Sequence, residues 1–166
     1  MNIELKIICK HDENILKNLF EYYSYDFSKY YNYDLNDNGK FDKVNVEKYF
    51  DKSIYQVYLI KVDKKYAGFI IAKKEEKFNC VNEFWIMPKY RKGFFAYNVL
   101  KQFSQYMYGF WIFGILNNND RWTKALECMI KRNDDICKIM LKRNVVYKLD
   151  WGDYEFTEFL LDCKKK

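Results

Sequence analysis

The sequence is poor in residues that interrupt regular structure, with one proline and six glycines among 166 residues. A β-sandwich built from many tight turns needs more of both, so this composition favours longer helices and strands. His11 is the only histidine. A histidine-rich metal site is therefore excluded, a Cys–His nucleophile pair would have to use His11, and we predict no metal in the functional site.

The five cysteines are odd in number and form no C-x-x-C pair, which is typical of reduced thiols in a cytoplasmic protein. They are Cys9, Cys80, Cys128, Cys137 and Cys163. The first residues, "MNIELKIICK", lack the basic start and long apolar run of a signal peptide. No stretch approaches the ~20 apolar residues of a membrane span. We therefore expect a cytoplasmic protein without membrane contact.

The sequence is rich in apolar side chains, which make up 49% of it, and 20% of all residues are aromatic. A chain of this length can bury a sizeable core, and we expect one domain over residues 1–166. The net charge of +6 modestly favours an anionic ligand. No dense basic block lies beside aromatic residues, which argues against nucleic acid as a partner.

Hydrophobic periodicity predicts the order β-α-α-β-β-β-α-β-α-β-β. The predicted strands are 3–9, 55–62, 66–73, 78–87 and 110–116, with two closing strands around "DWGD". The predicted helices cover 11–31, 44–50, the segment from Phe95 to a stop at Gly109, and 121–131. Asp12 is expected to cap the first helix. The apolar run 110–116 predicts a strand buried on both faces.

The run "MPKYRKGFFAYNVL", residues 87–100, joins a strand to a helix through a basic, glycine-bearing turn. Such a turn is a common device for binding phosphate at a helix N-terminus. Phe94 and Phe95, however, occupy positions where close phosphate contact favours small residues. The alternative is a simple strand-to-helix corner with ordinary surface lysine and arginine.

These residues in this order resemble the GNAT superfamily of acyl-CoA-dependent N-acetyltransferases, in a bacterial branch of mostly unassigned substrate. Its signature opens a helix with Arg/Gln-x-x-Gly-x-Gly/Ala, and here Arg91 matches the first position and Ala96 the last. Phe94 stands where the first glycine would be, and Gly93 is displaced by one. The resemblance continues through "FWIFGIL" to Asn119. It implies an α/β fold with a central, mostly antiparallel sheet, a splayed parallel strand pair and flanking helices.

The resemblance also implies an activity and a set of site residues. The chain would move an acetyl group from acetyl-CoA, its co-substrate, directly to a primary amine of a small molecule or peptide, and could form a homodimer. The donor's pyrophosphate would bind Arg91, Lys92, Gly93, Phe94, Phe95 and Ala96. Its pantetheine arm would contact Trp85, Ile86, Met87 and Asn119.

Glu83 resembles the position where some members of the family place a general base. An ammonium acceptor must lose a proton before its nitrogen attacks a thioester. The alternative for Glu83 is a structural hydrogen bond or ion pair, and for Asn119 a helix cap. Many members use a tyrosine on the helix after Asn119 as the general acid. No tyrosine occurs between Asn119 and Tyr147. We interpret Cys128 as a small side chain in the core. The general acid is therefore not assigned.

Three other interpretations remain open. "DLNDNGKFDKVN", residues 34–45, partly matches an EF-hand loop, but Asn45 replaces the closing glutamate, and such residues are also ordinary in turns. Under the resemblance, the alternative is that this segment borders the acceptor site together with the tyrosines before it, Tyr22, Tyr23, Tyr25 and Tyr30. A non-catalytic module that binds CoA, another nucleotide or nucleic acid is the rival to the enzyme.

Overall fold

The computed structural model describes residues 2–31, 34–41, 44–117, 119–132, 137–149 and 152–164. Within them, seven strands form one sheet: β1 (Ile3–Ile7), β2 (Tyr55–Val62), β3 (Lys65–Lys74), β4 (Asn79–Ile86), β5 (Gly109–Leu116), β6 (Cys137–Leu149) and β7 (Gly152–Cys163). The α-helices are α1 (Glu13–Phe27), α2 (Phe95–Phe103) and α3 (Asp120–Arg132). None of the helices in this part of the chain is long and apolar enough to cross a bilayer.

The spatial order of the strands is β1-β2-β3-β4-β5-β7-β6. All neighbours pair antiparallel except β4 and β5, which run parallel because α2 returns the chain between them. The predicted meander of three strands and the predicted closing hairpin are both confirmed. The predicted short helix at 44–50 is a 3-10 turn, Glu47–Phe50.

Both faces of the central strands are covered, which explains why their sequences are almost continuously apolar. On one face, α1 packs against Val57 and Leu59. On the other, α2 and α3 pack against Tyr58 and Ile60. All four of these β2 side chains are buried. The sheet therefore separates two hydrophobic layers.

Helix α1 begins later than the pattern predicts, and Asp12 does not cap it with its side chain. A 3-10 turn, Lys10–Asp12, precedes the helix. The buried carboxylate of Asp12 instead accepts bonds from the Cys9 N–H at 3.0 Å and from Lys6 Nζ at 2.5 Å. Asp12 thus ties the entry of α1 to β1.

The segment around Gly109 corrects two predictions. Helix α2 ends at Phe103 and a 3-10 turn, Ser104–Tyr106, follows, so Gly109 does not stop the helix. Gly109 has φ +76° and instead begins β5. Strand β5 is not buried on both faces: Trp111 and Phe113 are core residues, but Phe110 is exposed. The reason is that the core beneath α1 takes its strand residues from β2, β3 and β4.

None of the five cysteines, all of which lie in the described part of the chain, forms a disulfide. Cys137 and Cys163 lie opposite each other in the β6–β7 pair and are buried. The loop predicted around "DWGD" joins these strands, but its residues 150 and 151 lie outside the described part of the chain.

Candidate active site

Strands β4 and β5 pair over a short distance and then separate. Their parallel register covers Asn79 to Val81 on β4 and Trp111 to Phe113 on β5. Beyond Val81 and Phe113 the register contains no further pairs. A cavity of about 440 Å³ lies at the resulting opening. The edge of β4 beyond Val81 therefore faces a cavity instead of a neighbouring strand.

The cavity passes through the sheet, because residues from both hydrophobic layers line it. Tyr23 and Phe27 of α1 contribute from one side. Leu100 of α2, with Trp122 and Leu126 of α3, contributes from the other. Two molecules that approach from opposite faces of the sheet could therefore meet at the gap between β4 and β5.

A β-bulge at Asn82 sets the orientation of the strand that borders the gap. Ile71 and Ala72 of β3 lie opposite Glu83 and Val81, so Asn82 is the extra residue. The bulge returns Val81 to the same face as Phe84. It leaves Glu83 facing α1, at the point where the cavity crosses the sheet.

Glu83 is half-buried and lines the cavity. The Tyr23 hydroxyl donates to its Oε2 at 2.6 Å, and Asn82 Nδ2 donates to its Oε1 at 3.2 Å. Burial raises the pKa of Glu83 from 4.5 to about 7, although the bond from Tyr23 and the charge of Lys48 act to lower it. A carboxylate with such a pKa can accept a proton at neutral pH and release it again.

The turn between β4 and α2 shows how the chain accommodates Phe94. Gly93 has φ +55°, the left-handed conformation that glycine adopts without strain. Phe94 itself has φ −93° and ψ 18°, so it needs none of a glycine's freedom. The amides of Lys92, Gly93, Phe94 and Ala96 donate to no other group in the described part of the chain. The turn therefore presents free N–H groups at the start of α2.

The Phe94 ring points outward from this turn and is 59% exposed. It packs edge-on against Tyr97, with ring centroids 6.3 Å apart. The guanidinium of Arg132, at the end of α3, lies over both rings at 5.0 and 5.3 Å. Phe94 thus packs toward the end of α3. Phe95, the next residue, is buried and belongs to the core.

Arg91 is held inside the protein. Its Nη2 pairs with Asp26 of α1, and its Nε donates to the Ile86 carbonyl at 2.6 Å. Trp85 Nε1 also donates to Asp26, at 3.1 Å. Burial acts to raise the pKa of Asp26, but the hydrogen bond and charge of Arg91 outweigh it and hold that pKa below its ordinary value. Arg91 therefore braces the turn against α1, a contact that sequence reasoning missed.

The predicted arm-binding residues lie at the end of β4, beside the cavity-lining residues. The Met87 N–H donates to Ala67 O of β3 at 2.7 Å. Because backbone groups of successive residues point to opposite sides of a strand, those of Trp85 also face β3 and those of Phe84 and Ile86 face the gap. Trp85, Ile86 and Met87 do not line the cavity, whereas Phe84 does. Sequence reasoning did not include Phe84.

Asn119 lines the cavity and precedes α3 directly. Its carbonyl accepts the N–H groups of Trp122 at 3.0 Å and Thr123 at 3.3 Å. The backbone carbonyl of Asn119 therefore takes part in the first turn of α3, and Asn119 also lies beside the gap.

Tyr147 of β6 also lines the cavity, a position that no sequence pattern indicated. Its hydroxyl donates to Glu158 Oε1, and Arg143 Nε donates to Oε2 of the same buried carboxylate at 2.8 Å. Burial and the bond to Glu158 raise the pKa of Tyr147 to about 12. Tyr147 therefore keeps its proton at neutral pH. Cys128 is only half-buried.

Of the tyrosines predicted to border an acceptor, Tyr23 lines the cavity, whereas Tyr22 and Tyr25 are exposed. In the loop that resembles an EF-hand, Asn36 Oδ1 accepts the N–H groups of Asn38 at 2.9 Å and Lys40 at 3.0 Å. That pattern is an ordinary Asx turn. The described residues contain no cluster of three potential metal ligands, and residues 42 and 43 of this loop lie outside them.

No protein-family model matches the chain, and no curated protein matches its sequence. Solved structures do match it over almost its whole length. An N-acetyltransferase from Staphylococcus aureus Mu50 superposes with a TM-score of 0.68 at 13% identity, covering 98% of each chain. A GNAT-family acetyltransferase from Streptococcus pneumoniae gives 0.60 at 11% identity, covering 96% of this chain and 99% of the other.

Arabidopsis thaliana NAA60, in complex with a bisubstrate analogue, gives a TM-score of 0.60 at 12% identity, covering 96% of this chain and 97% of the other. At such low sequence identity, a structural match shows that the folds are similar and nothing more. The mixed sheet with its parallel pair β4–β5 and its flanking helices superposes on these proteins over almost its whole length. The chain therefore has the fold of the GNAT superfamily of N-acetyltransferases.

Proposed function

We propose that this protein is an N-acetyltransferase that moves an acetyl group from acetyl-CoA directly to a primary amine. The observation that carries the proposal is the cavity through the sheet, with Glu83 at the crossing point. A donor on the α2–α3 side and an acceptor on the α1 side would meet beside a carboxylate whose pKa is about 7.

The turn before α2 suits the pyrophosphate of the donor. Free amides of Lys92, Gly93, Phe94 and Ala96 lie at the positive end of the helix dipole. Lys92 is exposed and adds a positive charge. Since the Phe94 ring packs toward Arg132, it leaves the amides open. Arg91 supports this turn through Asp26, so its proposed role moves from direct phosphate contact to bracing.

The gap between β4 and β5 could hold the extended pantetheine arm of acetyl-CoA. The backbone N–H of Ile86 and both backbone groups of Phe84 face it, and Asn119 borders it from β5's side of the gap. An amide-bearing arm could pair with β4 as an added strand would. These groups would place the reactive carbonyl near Glu83.

Glu83 would act as the general base. It would take a proton from the acceptor ammonium, directly or through water, while Tyr23 holds the carboxylate in place. The amine nitrogen would then form a bond to the acetyl carbon as the carbon–sulfur bond breaks. CoA would leave as its thiolate, and the second proton that the nitrogen loses would pass through water to that sulfur. Acetyl-CoA supplies the acetyl group as an activated thioester. Cys80 is the one thiol among the described residues that line the cavity, and burial raises its pKa, so it keeps its proton at neutral pH, which favours direct transfer.

Titration calorimetry with acetyl-CoA tests the donor site. The protein is expected to bind with micromolar affinity, and Lys92→Gln to weaken binding by about three- to tenfold. Lys101→Gln, at an exposed position in the last turn of α2, is the matched control and should bind like the original chain. Release of free thiol in the presence of amines then tests transfer. No binding at millimolar acetyl-CoA would favour a non-catalytic module.

A further inference from the structure

The part of the cavity on the α1 side has an unusual lining for a site that handles an amine. We call it the acceptor chamber, and its described residues include Tyr23, Phe27, Tyr31, Val44, Lys48, Tyr49 and Glu83. Four of these seven are aromatic. The others are a valine, the candidate base and a single lysine.

The rings of the chamber brace one another. Tyr23 and Phe27 have centroids 4.4 Å apart, and Phe27 stacks on Tyr31 at 5.7 Å. Tyr31 in turn packs edge-on against Tyr154 of β7 at 4.6 Å. Walls fixed in this way present apolar ring faces at low entropic cost. An acceptor gains most here by burying a ring or a branched apolar group.

The charges of the chamber restrict the acceptor further. Among the described residues that line the cavity, Glu83 has the only acidic side chain and Lys48 the only basic one. Glu83 is needed to pair with the ammonium group that reacts. A polyamine would bring further ammonium groups, which need further carboxylates, and Lys48 would repel them. A chain of cationic amines therefore fits this lining poorly.

Lys48 is exposed at the rim, and its Nζ lies 4.9 Å from the centroid of the Tyr49 ring. Its charge also reaches Glu83, where it opposes the effect of burial on the pKa. An ammonium group that pairs with Glu83 and an anion that pairs with Lys48 would thus lie in the same chamber. This arrangement matches an acceptor that carries both charges.

We infer that the acceptor is an amine that also carries a carboxylate and an apolar side chain, as the aromatic and branched α-amino acids do. Its ammonium would face Glu83, its carboxylate Lys48, and its side chain the rings of the chamber. This inference rests on the proposed acetyltransferase function. It makes Lys48 a residue that determines specificity.

The test compares L-phenylalanine with L-phenylalaninamide, which has the same ring and α-amine but no carboxylate. Spermidine is the third substrate, and thiol release with acetyl-CoA is the readout. The kcat/KM for L-phenylalanine is expected to exceed those for the other two by about tenfold. The amide loses its ammonium proton more easily, so chemistry alone would favour the amide. In Lys48→Glu the order should reverse, whereas Lys52→Glu, exposed and outside the cavity, should preserve it.

The outcomes separate the two proposals. Faster acetylation of the amide or of spermidine by the original chain, or a preference unchanged in Lys48→Glu, would overturn the inference and leave the acetyltransferase function standing. Acetylation of none of the three, with acetyl-CoA shown to bind, would overturn this inference, and thiol release with a wider set of primary amines would then decide the proposed transfer.

Discussion

Replacing Glu83 with glutamine should make the protein more stable at neutral pH, although it removes the proposed base. Burial raises the pKa of Glu83 from 4.5 to about 7, so the folded state holds a proton that the unfolded chain has already lost. This difference corresponds to about 3 kcal/mol at most in unfolding free energy. Glutamine keeps the shape and can still accept the bond from Tyr23, but it never ionises.

The sign follows from which state binds more protons. Below pH 4.5, the ordinary pKa, both states are protonated and Glu83 costs nothing. Between pH 4.5 and about 7 only the unfolded state ionises, so the stability of the original chain falls. Above about pH 7 the full penalty is present. The advantage of Glu83→Gln should therefore grow across this interval and then remain constant.

Urea unfolding followed by tryptophan fluorescence, at several pH values from 4 to 9, measures this advantage for the two chains. Glu76→Gln changes an exposed turn carboxylate and is the control for the substitution itself. Parallel stability curves for the original chain and Glu83→Gln would refute the reasoning, because they would show that Glu83 has the same pKa folded and unfolded.

The ionisation of Glu83 should also determine how the rate of acetyl transfer depends on pH. The kcat/KM of the original chain is expected to rise with pH through about 7, as Glu83 ionises. Tyr23→Phe removes a hydrogen bond that favours the ionised form, so the rise should move up by about one pH unit. Loss of rate without movement of the profile would mean that Tyr23 has only a structural role.

Three further substitutions test the framework around the site. Asp26→Asn removes the counter-ion of Arg91 and should cost about 1–3 kcal/mol of unfolding stability, with weaker acetyl-CoA binding by calorimetry. Phe94→Ala should change the acetyl-CoA Kd by less than about threefold, because the ring points away from the free amides; a tenfold loss would show that the ring touches the donor. Gly68→Ala should cost about 2–4 kcal/mol in urea unfolding, since its Cβ would lie 2.1 Å from a backbone oxygen of β4. Gly114→Ala, whose Cβ meets nothing closer than 3.7 Å, is its control.

The sequence predicts the order of elements well because hydrophobic periodicity is a local signal. The pattern at 55–62 coincides with β2, and the hairpin partner at 66–73 differs from β3 by one residue at each end. Errors lie at helix ends, where local competition decides. Asp12 bonds backward to Cys9 instead of capping α1, and a 3-10 turn replaces the last part of the predicted α2.

The site was harder to predict because its main contacts join distant parts of the chain. Arg91 and Asp26 are 65 positions apart, and Tyr23 and Glu83 are 60 apart. No local pattern encodes such pairs. The resemblance supplied Glu83 and the turn before α2, but it could not show that Gly93 takes over the conformation that Phe94 would otherwise need.

The pair between Asp26 and Arg91 has a consequence for anyone who re-engineers acceptor choice by exchanging helices between related proteins. Helix α1 carries Tyr23 toward the acceptor chamber and, one turn later, Asp26 toward the turn before α2. A transplanted α1 that lacks an acid at position 26 would leave Arg91, in the turn before α2, without its partner. Successful chimeras should therefore retain Asp26 whatever side chains replace the aromatic wall.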